Sequence, residues 1–136
     1  MEQSIQAQRD HPAIRFRTRD MRACRDYFRS VRDGTHNFDA ARPQNFQGFA
    51  HHEWPVGRIS LNLVNIECKG DFTVTKSAPI PYFQFNFLLE GQCEIRGRDG
   101  RVVANPGDAL VVDPEQTATE YWHNRSTQYL LRVDRR

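Results

Sequence analysis

The strongest constraint in this sequence is the alternation from Tyr82 to Gly97. Phe83, Phe85, Phe87 and Leu89 share one parity, and Cys93 and Ile95 continue it beyond Gly91. Gln84, Asn86, Glu90, Gln92, Glu94 and Arg96 hold the other. Successive side chains of a strand point to opposite faces, whereas a helix would spread these residues around its whole surface. The stretch therefore predicts one long strand, or two strands bent at Gly91, with the aromatic parity turned inward.

Turn signals follow closely. Arg98-Asp99-Gly100 and Asn105-Pro106-Gly107-Asp108 each close a hairpin, and Asp113-Pro114-Glu115 ends a strand from Ala109 to Val112. Thr117 to Trp122 and Thr127 to Val133 read as a last pair of strands joined through His123 to Ser126. Upstream, Arg58 to Leu63 alternates strictly, and the apolar phase then slips at Val64 and Ile66, as a bulge or a strand that crosses between sheets would produce. Asp71 to Lys76 alternates again, with Phe72 and Val74 inward.

The front of the chain has a different period. Met21, Cys24, Tyr27, Phe28 and Val31 recur at spacings of three and four and predict a helix over about 20–32. Thr18 or Asp20 caps its start, and Asp33-Gly34 supplies a stop. Ala13 to Arg17 reads as a short strand, and the polar segment Thr35 to Gln47 as a mobile loop. Many short strands behind one helix spell a β-sandwich or barrel.

At 136 residues the chain fits one domain over 1–136, with the barrel at about 45–134. No apolar run approaches the length needed to span a bilayer, and the polar N-terminus lacks a secretion signal. Three cysteines without metal-like spacing read as buried reduced thiols, which points to the cytoplasm. A net charge of +2, with the N-terminal arginines interleaved by aspartates, argues against a nucleic-acid grip.

The block Leu88-Leu89-Glu90-Gly91-Gln92-Cys93-Glu94-Ile95, followed by Gly100 to Val112 with its Pro106-Gly107-Asp108 turn, resembles the centre of a cupin barrel. With Phe16-Arg17-Thr18-Arg19-Asp20, Phe38-Asp39 and Gly48-Phe49 ahead of it, the chain resembles the N-terminal, ligand-sensing half of AraC-type transcription regulators. The resemblance implies a mainly β, cupin-like double-stranded β-helix (a jelly-roll barrel) with one N-terminal α-helix. It implies an effector-binding domain that forms a homodimer and meets DNA only through a C-terminal helix-turn-helix domain, which this chain lacks. It also departs from the metal-binding cupins. Lys76 to Gln84 holds no histidine, and Thr117, Ala118 and Thr119 occupy the later ligand position, so no metal and no cofactor are expected.

Phe83, Phe85, Phe87, Trp54 and Trp122 are the candidate ligand contacts, lining a cavity that takes a small, partly apolar metabolite. Core packing is the plainer reading of the same rings. Adjacent His51 and His52 point to opposite faces and read as surface or loop residues. No serine sits in a nucleophile elbow and no cysteine has an oriented histidine, so the chain is not expected to be an enzyme. Two rivals remain: a small metal-independent cupin enzyme, with a perturbed carboxylate or histidine in a polar cavity, and an oligomerisation module with a filled barrel.

Overall fold

The computed structural model describes residues 14–31 and 35–135, apart from the Val31 side chain. In chain order the elements are β1 (Ile14–Thr18), α1 (Met21–Asp26), β2 (His36–Ala40), β3 (Phe46–Val56), β4 (Ile59–Lys76) and β5 (Tyr82–Glu90). They continue with β6 (Cys93–Gly97), β7 (Gly100–Ala104), β8 (Ala109–Val112) and β9 (Ala118–Asp134). The long strands β4 and β9 pair antiparallel from Ile59–Val133 to Lys76–Ala118 and form a spine. One half of the spine carries a half-sheet in the order β1-β3-β4-β9-β5-β8. The other half carries β2 beside β4, and the β6–β7 hairpin beside β9.

The spine bends where its register shifts between Glu67 and Asp71. Gly70 and Asn124 there have φ of 106° and 69°, values suited to glycine and asparagine, and the Gly70 N–H donates to Asn124 Oδ1 at 2.9 Å. The bend turns the two half-sheets toward each other as a cupin-like barrel. Phe38, Phe46, Phe49, Phe72 and Trp122 belong to the apolar core between them.

Gly91 makes the expected bend between β5 and β6 at φ 95°. A Cβ there would lie 2.1 Å from the Arg125 carbonyl oxygen. The Asn105–Asp108 turn also forms as read: Asp108 N–H donates to Asn105 O at 3.0 Å, and Asn105 N–H to Asp108 Oδ2 at 2.8 Å.

Asp20 caps α1, accepting from the N–H groups of Arg22 and Ala23 at 3.3 Å each. The expected helix is α-helical only to Asp26 and continues as a π turn over Tyr27–Val31. That wider turn seats the neighbours Tyr27 and Phe28 together against the barrel, where both are buried. The anticipated stop at Asp33-Gly34 lies outside the described residues.

Several expectations are corrected. Thr35 to Gln47 is not simply a loop, because β2 pairs with β4 and buries His36, Phe38 and Ala40. The last two strands are one, β9, kinked at Asn124. No bulge interrupts β4 at Val64, since its pairing with β9 runs unshifted from Ile59 to Glu67. The apolar residues instead change sides of a regular strand: Leu61 and Leu63 face outward, while Val64 and Ile66 are buried.

The same inversion occurs in β5. Gln84 and Asn86 are 2% and 3% exposed and lie inside, whereas Phe83 and Phe87 are 47% and 41% exposed and point away from the barrel. Phe85 shares their side. A period of two separates two faces without saying which is inner, and large apolar residues at a surface are common. Across β3, β4, β9, β5 and β8, the residues Trp54, Leu61, Leu131, Phe85 and Val111 form one outward row.

A candidate ligand site on an inward polar wall

The inward parity of β5 meets that of β9. Arg132 Nε donates to Gln84 Oε1 at 3.0 Å, Gln84 Nε2 to Asn86 Oδ1 at 2.9 Å, and Asn86 Nδ2 to Gln128 Oε1 at 3.2 Å. Gln128 Nε2 continues to Ser126 Oγ at 3.4 Å. A guanidinium can only donate, so Arg132 sets the direction of every amide along the row. Its charge is also held 4.6 Å above the Tyr82 ring.

Beside this row lies Glu120 on the other half of β9. Trp122 Nε1 donates to Glu120 Oε1 at 2.9 Å. Burial pushes the Glu120 carboxyl up to about 7, against weaker opposing help from Trp122 and Gln128. The group is therefore poised to titrate near neutrality.

A second polar chain closes the interior from the helix side. Asn62 Nδ2 donates to the carbonyls of Leu130 and Ser60 at 3.3 Å each, which leaves Oδ1 to accept from His51 Nε2 at 2.8 Å. His51 Nδ1 then accepts from the Tyr27 hydroxyl at 2.5 Å. His51 is 1% exposed, so its reading as a surface or loop residue is overturned. The Tyr27 ring stacks on Phe16 with centroids 4.1 Å apart, and α1 is thereby latched over the barrel.

Between the two polar chains is a chamber of about 40 Å³, lined by Tyr27, Phe28, His36, Glu120, Gln128 and Arg132 among others. That is room for a water, not a metabolite. An adjoining pocket of about 260 Å³ opens between β8 and the β6–β7 hairpin and shares Gln84 and Glu120 with it. Ile95, Val102, Leu110 and Val112 give this pocket an apolar throat. Together the spaces approach the lower end of ordinary ligand cavities, roughly 300–1,000 Å³. A larger cleft of about 450 Å³ lies at the other end of the barrel. Its rim carboxylates are already engaged, Asp71 with His123 at 2.6 Å and Asp39 with Arg25.

The sequence profile of the AraC-binding-like domain matches residues 24–136. The chain belongs to that family. It is an AraC-type, cupin-like ligand-binding domain, and the family is regulatory. The AraC-like transcriptional activator CuxR is similar in structure, with a TM-score of 0.64 at 14% identity over 89% of this chain and 47% of that one. The chain thus spans about half the length of that activator. A conserved protein of unknown function from Streptococcus pyogenes (TM-score 0.53, 14% identity, 65% of this chain and 75% of that one) has a similar fold. So does the EutQ protein of Clostridium difficile (TM-score 0.51, 11% identity, 71% and 74%). Curated proteins provide no match in sequence.

In this AraC-type domain the residues singled out from sequence scatter. Trp122 is buried, stacks 6.2 Å from Phe72 and supports the site from behind through its bond to Glu120. Trp54 lies on the outward face of β3, and its buried Nε1 has no hydrogen-bond partner among the described residues. On the same face His52 is driven below its usual range by burial and by the charges of Arg15 and Arg17. Phe83, Phe85 and Phe87 line neither interior space, which corrects their expected inward aim. The residues that do converge were the polar parity of the same strands. Their signal was Gln84-x-Asn86 and Gln128-x-x-x-Arg132, patterns that read equally well as a solvated edge. Among the described residues, no group of three or more His, Cys, Asp and Glu is placed to hold a metal ion.

Proposed function

We propose that this chain is the effector-binding and self-associating domain of an AraC-type regulator, acting in the cytoplasm, with DNA contact made by another domain. The effector is a small metabolite with a hydrogen-bonding head and an apolar tail. Its head meets Gln84, Glu120 and Arg132, and its tail fills the throat of Ile95, Val102, Leu110 and Val112. The observation that carries this reading is the polar row headed by Arg132, turned into the barrel interior. A buried row of amides, a carboxyl and a guanidinium is costly to assemble and selects for shape and hydrogen bonding. The chamber is small with Tyr27 latched, so binding displaces α1, and that movement reports occupancy to the rest of a regulator.

A metabolite screen by thermal shift tests the reading, beginning with aromatic acids and amines. A hit near a hundred dissociation constants raises stability by about 2.7 kcal/mol. Gln84→Leu should abolish the shift while the fold persists. Silence across a broad library, or a hit indifferent to Gln84→Leu, would refute it.

One observation favours a metal-independent enzyme instead: Glu120 is raised to about 7, the range of a general acid or base. Its carboxyl already accepts from Trp122 Nε1, which suits a ligand-sensing anchor better than a proton shuttle. Turnover of any bound compound, lost in Glu120→Gln, would decide for the enzyme.

A further inference from the structure

Two nitrogens on the outward face of β3 have no hydrogen-bond partner among the described residues: His52 Nε2 and Trp54 Nε1. Both are closed off from water, so each forfeits a bond that solvent would otherwise supply. Their side chains are neighbours, with ring centroids 6.2 Å apart. Buried polar groups are nearly always paired, so two orphans side by side call for a missing acceptor.

The surroundings say what kind of acceptor fits. Register sets Arg15 beside His52 and Arg17 beside Ala50 on the same outward side. Both arginines are exposed and meet no carboxylate among the described residues. Their charge adds to burial in holding His52 below its usual range. Next to them an open cleft of about 830 Å³ reaches from β1 to β9, lined by Arg17, Arg19, Gln47, His52, Leu63 and Thr127 among others. Its carboxylate, Glu67, already faces Arg125 at 4.0 Å. Guanidinium and indole N–H groups only donate, and a neutral imidazole offers a further N–H when its proton sits on Nε2. The corner is therefore rich in donors and positive charge. A guanidinium fork matches the paired oxygens of a carboxylate or phosphate. Ala50 and Leu63 add an apolar floor, which suits a carbon body better than a bare hydrated ion.

We propose that this corner is a second binding site, on the opposite side of the sheet from the barrel interior, for a small organic oxyanion. Its carboxylate or phosphate head accepts from Trp54 Nε1, His52 Nε2 and the Arg15 and Arg17 guanidiniums. Its carbon body lies on Ala50 and Leu63. The head fixes the His52 tautomer with the proton on Nε2. Exposed side chains change rotamer within nanoseconds, so the arginines open the way to the two covered nitrogens and then close over the bound head. The sheet itself separates this corner from Gln84 and Glu120, so occupancy of each site is read separately.

The chain has two tryptophans, and their indole signals tell the two sites apart. In a proton–nitrogen correlation spectrum, titration with benzoate or phenyl phosphate should move the Trp54 indole N–H downfield to saturation. The Trp122 indole, bonded to Glu120, reports the barrel interior in the same spectra. The tighter of the two organic probes identifies the head, and inorganic phosphate should bind more weakly than either. Replacing Arg15 and Arg17 together by Ala should raise the dissociation constant of the tighter probe by about ten-fold or more, with far-UV circular dichroism unchanged. Trp54→Phe keeps a ring and loses the N–H, and should weaken binding several-fold when followed on the His52 ring protons. A Trp54 signal that neither organic probe moves overturns the proposal, as does binding indifferent to both the double variant and Trp54→Phe. Inorganic phosphate that binds as well as the organic probes overturns the organic ligand.

Discussion

Replacing Tyr27 by Phe removes one oxygen and isolates the latch between α1 and the barrel. The ring stays, and with it the stacking on Phe16 and the tilted contact with Phe49 at 5.6 Å. What is lost is the hydroxyl on His51 Nδ1, an acceptor inside a residue 1% exposed. Leaving a buried acceptor unsatisfied costs about 1–3 kcal/mol, against about 1 kcal/mol for a hydrogen bond that water can replace. The variant should therefore lose about 1–2 kcal/mol, read as a lower urea midpoint at unchanged m-value, or as a melting point several degrees lower. A double-mutant cycle with His51→Leu separates the bond from its surroundings and should return a coupling of about 1 kcal/mol or more. The latch opposes opening of the chamber, so an effector found by screening should bind Tyr27→Phe more tightly even as the fold weakens. Additive effects in the cycle, or a loss under about 0.3 kcal/mol, would refute the assignment of Tyr27 as the latch.

The raised Glu120 carboxyl makes stability depend on pH. Its folded value of about 7 lies above the unfolded value near 4.5, so the folded state holds the proton more tightly. The contribution is fully present below about 4.5 and is lost as pH rises toward and through 7. It is on the order of 3 kcal/mol, and Glu120→Gln should flatten the urea midpoint across that window. Gly91→Ala puts a methyl against the Arg125 carbonyl at φ 95°, and should cost several kcal/mol or prevent folding, as read by thermal melting. Asp108→Ala removes the bond to Asn105 N–H at 2.8 Å, and should lower stability by about 1 kcal/mol with circular dichroism unchanged.

Local physics made much of this protein legible from its residues. Asp20 caps the helix, Gly91 bends the chain where a Cβ would strike backbone, and the Asn105–Asp108 turn closes on its own amides. Each of these depends on neighbours within a few positions, or on a conformation that few residue types adopt. The barrel block between Leu88 and Val112, together with Phe16 to Asp20, Phe38-Asp39 and Gly48-Phe49 ahead of it, was enough to indicate the family. The site was not legible in the same way. Alternation in β5 and β4 is blind to sign, and β9 decides it by pairing Gln84 with Arg132 and Asn62 with Leu130. Once those partners are set, the amides meet inside and the phenylalanines are left outside. His51 shows the same limit, since its role comes from Tyr27 and Asn62, 24 and 11 residues away. Burial belongs to the closed barrel and not to the strand, so only the tertiary structure could say which parity faces the interior and which faces outward.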